Sequence, residues 1–148
     1  MRLIVVDGHD FERQFFGKAG KDVNRELSKV RARNFEEALE FARYSQPYIP
    51  WNPRKPGTHL SRMMFNRVAR NLPHGDRELR LFVTVGLRLD LMGVDCFFEY
   101  DHRVVTVDIT TRPFKKNPRA NVILTLDDML RDRHYQIGDR IARYLTYN

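Results

Sequence analysis

The sequence predicts an α/β fold, a mixed β-sheet flanked by helices, and three observations predict it. Apolar residues recur at helical spacing in stretches on either side of the middle of the chain. Residues 79 to 110 are a succession of β-rich segments, and a further β-rich segment at 121–124 leads into a last helical stretch. With 148 residues, 42% of them apolar, the chain can bury one sizeable core but divides poorly into two, so a single domain spanning 1–148 is expected. Within it, 1–57 reads as an N-terminal extension with a strand, helices and a proline-rich arm, and 58–148 as the main body.

Taken in order, Leu3 to Val6 is a short β-branched run closed by Asp7-Gly8, a buried strand ending in a turn. From Asp22, the spacing of Val23, Leu27 and Val30 suggests a helix. Asn34 with Glu37 resembles a capping box that opens a second helix, one that would bury Phe35, Ala38, Leu39 and Ala42. Pro47, Pro50, Pro53 and Pro56 each fix φ and lack an amide donor, so 46–57 is a stiff connecting arm rather than a helix or central strand. Helical spacing returns over 58–72 through Leu60, Met64, Val68 and Leu72, and Pro73 and Gly75 end it.

From Leu79 to Leu89 the period becomes two, which predicts a strand with one buried face, broken by Gly93. Asp95 to Tyr100 and Arg103 to Thr110 flank Asp101-His102 and read as a tight hairpin. Pro113 and Pro118 bracket a basic loop. Asn121 to Leu124 is a last strand, and Thr125 with Asp128 caps a helical stretch continuing through Ile137, Ile141 and Leu145.

Composition narrows the function classes. The 26 Lys and Arg against 19 Asp and Glu give a formal charge of +7, which favours a polyanionic partner such as nucleic acid. Cys96 is the only cysteine, so no intramolecular disulfide framework and no cysteine-based zinc cluster can form, and a reducing, cytoplasmic compartment is expected. No apolar run is long enough to cross a membrane, so no membrane partner is expected. The phosphate-binding loop of nucleotide hydrolases, the dinucleotide fingerprint and the serine-nucleophile elbow are all missing, against those routes of chemistry.

The hairpin carries the chemistry. If Asp101 and His102 form a two-residue turn, Tyr100 faces Arg103 and counting back sets Asp95 opposite Asp108, both carboxylates on one face. Residues 97, 99, 104, 106 and 110 share that face, while Cys96, Phe98, Tyr100, Val105, Val107 and Ile109 form the apolar one. Like charges across a strand pair repel, and a divalent cation with oxygen ligands is a natural neutraliser. The plainer alternative is that Asp95 belongs to a turn after Gly93 and Asp108 to a solvated strand.

Gly93-Val94-Asp95, followed after twelve residues by Asp108-Ile109-Thr110, resembles the PD-(D/E)XK nuclease superfamily of restriction endonucleases and Holliday-junction resolvases. The likeness covers roughly 58–148, which would then be a restriction-endonuclease-like core. It implies Asp95 and Asp108 as ligands of Mg²⁺ (or Mn²⁺), and a Mg²⁺-dependent DNA endonuclease or junction resolvase of the kind phages and mobile elements encode. Val94 stands where the motif often has proline, and Thr110 where it has lysine. Lys115 or Lys116 would supply that lysine from the loop, or either would be a phosphate contact or a solvated charge. Resolvases of this type are usually dimers, which leaves room for a homodimer. The resemblance also brings an early-helix glutamate, for which Glu36, Glu37 and Glu40 are available, and Glu99 is an outer ligand or a surface glutamate.

Nucleic-acid contacts are expected from Arg62, Arg67, Arg70, Arg112, Lys115, Lys116 and Arg119. Tyr44, Tyr48 and Trp51 lie near Arg43, Arg54 and Lys55, a mixture suited to stacking bases, although Trp51 and Tyr48 would equally pin the arm to the core. Asp7-Gly8-His9-Asp10 has metal-compatible residue types but reads better as a glycine turn. Two rivals to the nuclease are a non-catalytic nucleic-acid-binding module of the same fold, which Thr110 favours, and a protein-interaction subunit.

Overall fold

The protein is described by a computed structural model at residues 8–20, 26–111 and 119–146. Strands β1 (Arg80–Val83), β2 (Cys96–Tyr100), β3 (Arg103–Thr110) and β4 (Val122–Thr125) form one sheet in that order. The first three are antiparallel neighbours and β4 runs parallel to β3, so the sheet is mixed, as expected. Helices α1 (Gly8–Phe16), α2 (Phe35–Ser45), α3 (His59–Ala69), α4 (Gly75–Glu78), α5 (Arg88–Leu91), α6 (Leu126–Leu130) and α7 (His134–Thr146) flank it. One buried apolar cluster runs from Phe11 through Trp51 to Leu145, so the N-terminal segment and the main body share a core.

Local chemistry explains most of these elements. The Asn34 side chain accepts the Glu37 N–H at 2.9 Å and opens α2, though Glu37 reaches back to the N–H of Arg33 rather than of Asn34. Thr58 caps α3 by accepting from the Ser61 N–H, and Thr125 and Asp128 make a full capping box on α6. The proline-rich arm is irregular apart from a 3₁₀ turn over Gln46–Tyr48. It lies along the free edge of β1, where Pro53 accepts the Leu81 N–H and the Trp51 indole donates to the Leu81 carbonyl at 2.9 Å.

Several expectations need correction. The period-two run over 79–89 is not one strand: β1 stops at Val83, Gly86 takes a left-handed φ of 82°, and Arg88 starts α5. Leu81, Phe82, Val83 and Thr84 are all buried, so the alternation of residue types did not mark an exposed face. Phe35 begins α2 but is 40% exposed, because the first turn of that helix projects beyond the core. The final helical stretch is two helices, divided where Asp132 adopts φ 57°. Leu27–Lys29 is only a 3₁₀ turn, with Val30 exposed. Gly8 starts α1 rather than a turn, and Asp10 lies 4.0 Å from Arg13. The Leu3–Val6 strand, Asp7, and the first residues of the helix expected from Asp22 fall outside the described residues.

Candidate functional site

The hairpin turn has the geometry its sequence suggests. Asp101 and His102 both adopt left-handed φ, 50° and 65°, as a two-residue loop matched to strand twist requires. Pairing runs from Tyr100↔Arg103 to Cys96↔Val107, and Asp95 and Asp108, the next residue on each arm, have side chains close enough to share a hydrogen bond. The ladder is irregular at that step. The Asp95 N–H bonds the Val107 carbonyl at 2.9 Å, while the Ile109 N–H is taken by Asp95 Oδ2 at 2.7 Å.

This face of the hairpin is not solvated. Asp95 is 4% exposed and Asp108 6%, with Phe97 and Thr106 buried beside them. Helix α2 covers part of it: Arg43 lies 5.7 Å from the centre of the Phe97 ring, Phe97 stacks on Phe82, and Arg43 binds Glu99 at 2.6 Å. Glu99 is therefore held in an ion pair.

Burial first, and then the hydrogen bond that the protonated Asp95 carboxyl donates to Asp108, pushes the Asp95 carboxyl up to about 9, against the opposing pull of the Ile109 N–H. Asp90 contributes in the same direction, through its charge and a hydrogen bond. At neutral pH Asp95 therefore keeps a proton, which relieves the repulsion between the clustered carboxylates. Asp90 went unnoticed in the sequence because the neighbouring residues read as a strand. It is placed by the turn at Gly86, whose N–H donates to Asp90 Oδ2 at 2.9 Å. A polar residue four positions after a glycine, within helix-like Leu87 and Leu91 spacing, was the available signal.

Among the described residues, no group of three or more His, Cys, Asp or Glu side chains is arranged to hold a metal ion. The Asp95–Asp108 pair nevertheless fits a divalent cation in donor chemistry. Both are hard oxygen ligands, and a cation would take over the neutralising task that the proton performs at Asp95. Thr110, in the position of the motif lysine, pairs with Thr125 on β4.

The expected cationic contacts divide. Arg112, Lys115 and Lys116 lie outside the described residues. Arg119 is exposed and packs against Gly93, two residues before Asp95, where an added Cβ would stand 3.4 Å from its own Cβ. Arg62 is exposed on α3, and Arg70 lines a cavity of about 530 Å³ with Arg54, Asn66 and Asp76. Arg67 is already engaged: its guanidinium grips Asp139 through two bonds of 2.7 and 2.9 Å and lies over Tyr135. Of the α2 acids, Glu37 is held by Arg33, and Glu36 and Glu40 are exposed. Trp51 pins the arm to the core, whereas Tyr44 and Tyr48 are exposed.

No family model, curated protein or solved structure matches the chain. Among the described residues, no helix is long and apolar enough to cross a membrane.

Proposed function

We propose that the protein is a Mg²⁺- or Mn²⁺-dependent DNA endonuclease or junction resolvase with a restriction-endonuclease-like core, working in a reducing cytoplasm. The observation that carries this reading is the buried Asp95–Asp108 carboxylate pair, set where β2 begins and β3 ends. The succession of α3, three antiparallel strands and a parallel fourth supports it, as does the net charge of +7.

A divalent cation bound by the pair would polarise a phosphodiester oxygen and lower the pKa of the attacking water. The chain's own contribution is positional. The Ile109 N–H aims Asp95, the strand pairing keeps Asp108 at its side, and Arg119 offers a cation to a phosphate approaching that end of the sheet. Proton removal from water would fall to Lys115 or Lys116.

The test is incubation with branched, duplex and single-stranded DNA, with and without Mg²⁺. Metal-dependent cleavage that Asp108→Asn abolishes supports the nuclease. A specific observation keeps a second reading, a binding module without catalysis: the residue two after Asp108 is Thr110, and it lies in the sheet against Thr125. Tight binding with no cleavage in any of these conditions would select that reading.

A further inference from the structure

Tyr44 and Tyr48 are 69% and 67% exposed, an unusual state for two large aromatic side chains beside each other. They are not on a slack loop. Tyr44 sits in the last turn of α2, and Tyr48 ends the 3₁₀ turn in which Pro47 fixes the backbone. Between and beyond them, Gln46 and Ile49 are buried anchors. The rings stand 6.1 Å apart, tilted by 41°, and a hydrogen bond that the Tyr48 hydroxyl donates to Tyr44 holds the Tyr48 phenol above its ordinary range.

Their position relates them to the acidic pair. The Gln46 amide bonds both main-chain groups of Val83, donating to its carbonyl at 2.9 Å and accepting from its N–H at 3.1 Å. Val83 pairs with Cys96, and the next residue, Thr84, donates its N–H to the Asp95 carbonyl at 2.9 Å. Helix α5, which carries Asp90, packs against α2. The tyrosines thus flank the residue that ties α2 to the Asp95 end of the sheet.

We propose that Tyr44 and Tyr48 form a stacking platform for an unpaired nucleobase, so that single-stranded or branched nucleic acid, rather than continuous duplex, is the substrate class. The inference rests on the nuclease reading and deepens it. A base offers a flat π-face to any aromatic ring, whereas bases within a duplex are already stacked on one another. Tyr44 also walls a cavity of about 560 Å³ with Phe41, Arg31 and Glu40, and Glu37 shares that wall. Arg43 lines it too, so two guanidiniums balance the two carboxylates, Glu37 being held besides by Arg33, and the exposed rings are the part of this surface that offers a base a flat apolar face. The chain's charge of +7 supplies a general attraction between the protein and a polyanion.

The experiment uses the full chain, without divalent cation, and a short single-stranded oligonucleotide carrying 2-aminopurine, whose fluorescence falls on stacking. Wild type should quench the probe. Tyr44→Ala with Tyr48→Ala should remove the quenching and weaken single-strand and branched binding by roughly 5- to 150-fold, the range for loss of one stacked base. That loss should be the same at low and physiological salt and absent on continuous duplex, and Tyr44→Phe with Tyr48→Phe should bind as wild type. If the alanine pair binds single strands like wild type, the platform is wrong while the nuclease reading stands on its cleavage test. If wild type binds no nucleic acid, both fall. If the alanine pair instead turns a dimer into a monomer and leaves nucleic-acid binding intact, the tyrosines are a contact between copies and the inference is overturned.

Discussion

Ile109 donates its backbone N–H to the Asp95 side chain at 2.7 Å, across the hairpin and one residue beyond Asp108. The bond replaces a rung of the ladder and holds Asp95 against a second carboxylate in a site that water hardly reaches. The pair is therefore electrostatically unfavourable unless something neutral or positive intervenes, and both a proton and a cation satisfy that demand.

A first prediction concerns pH. The Asp95 carboxyl is raised to about 9 in the fold from an ordinary value of 3.8, so between those limits the folded state binds more protons than the unfolded one. Its contribution to stability is thus complete below about pH 4 and declines as pH rises towards about 9. Urea unfolding of the metal-free protein should show stability falling through this window, and Asp95→Asn should flatten the fall. A wild-type profile that rises over the same window, or one that Asp95→Asn leaves unchanged, would contradict the assignment.

A second prediction separates cations that look alike in the sequence. Arg70→Ala should reduce the salt dependence of nucleic-acid binding by about 0.9 in log–log slope, the amount for one phosphate contact. Arg67→Ala should leave that slope alone and instead lower thermal stability slightly, because Asp139 and the Tyr135 ring already hold its guanidinium. Fluorescence anisotropy at several salt concentrations and a thermal melt check both.

A third prediction is structural. A Cβ at Gly75 would stand 2.2 Å from the Ala69 carbonyl oxygen, a backbone atom that cannot swing away. Gly75→Ala should therefore destabilise the protein by about 1–3 kcal/mol, the range for forced overpacking, readable as a lower urea midpoint. An unchanged midpoint would contradict so close an approach of α4 to the end of α3.

The site was legible where local rules fix geometry. A two-residue turn at Asp101-His102 determines the parity of the whole hairpin, so the juxtaposition of Asp95 and Asp108 followed from counting. What counting could not supply was the environment. The aspartates share a face with residues that read as half polar, yet α2 lays Arg43 over Phe97 there, a contact made across 54 positions that no local pattern encodes. Asp90 escaped for a related reason. Alternating residue types over 79–89 mimic a strand, and only the left-handed Gly86 turns the chain so that Asp90 meets Asp95. Tyr48 and Trp51 show the same limit, since two aromatics three positions apart on one arm have opposite fates, one exposed and one buried with its indole bonded.

In the function proposed above, Asp95 and Asp108 hold a divalent cation that serves phosphodiester cleavage. The most direct measurement compares wild type and Asp108→Asn on branched, duplex and single-stranded DNA across a Mg²⁺ titration, with cleavage and binding read from the same samples. Cleavage by wild type is expected to appear with Mg²⁺ and to collapse in Asp108→Asn, with DNA binding by the variant intact or tighter because a negative charge near the phosphate has gone. Binding by wild type with no Mg²⁺-dependent cleavage of any substrate, or cleavage that Asp108→Asn leaves untouched, would contradict that function.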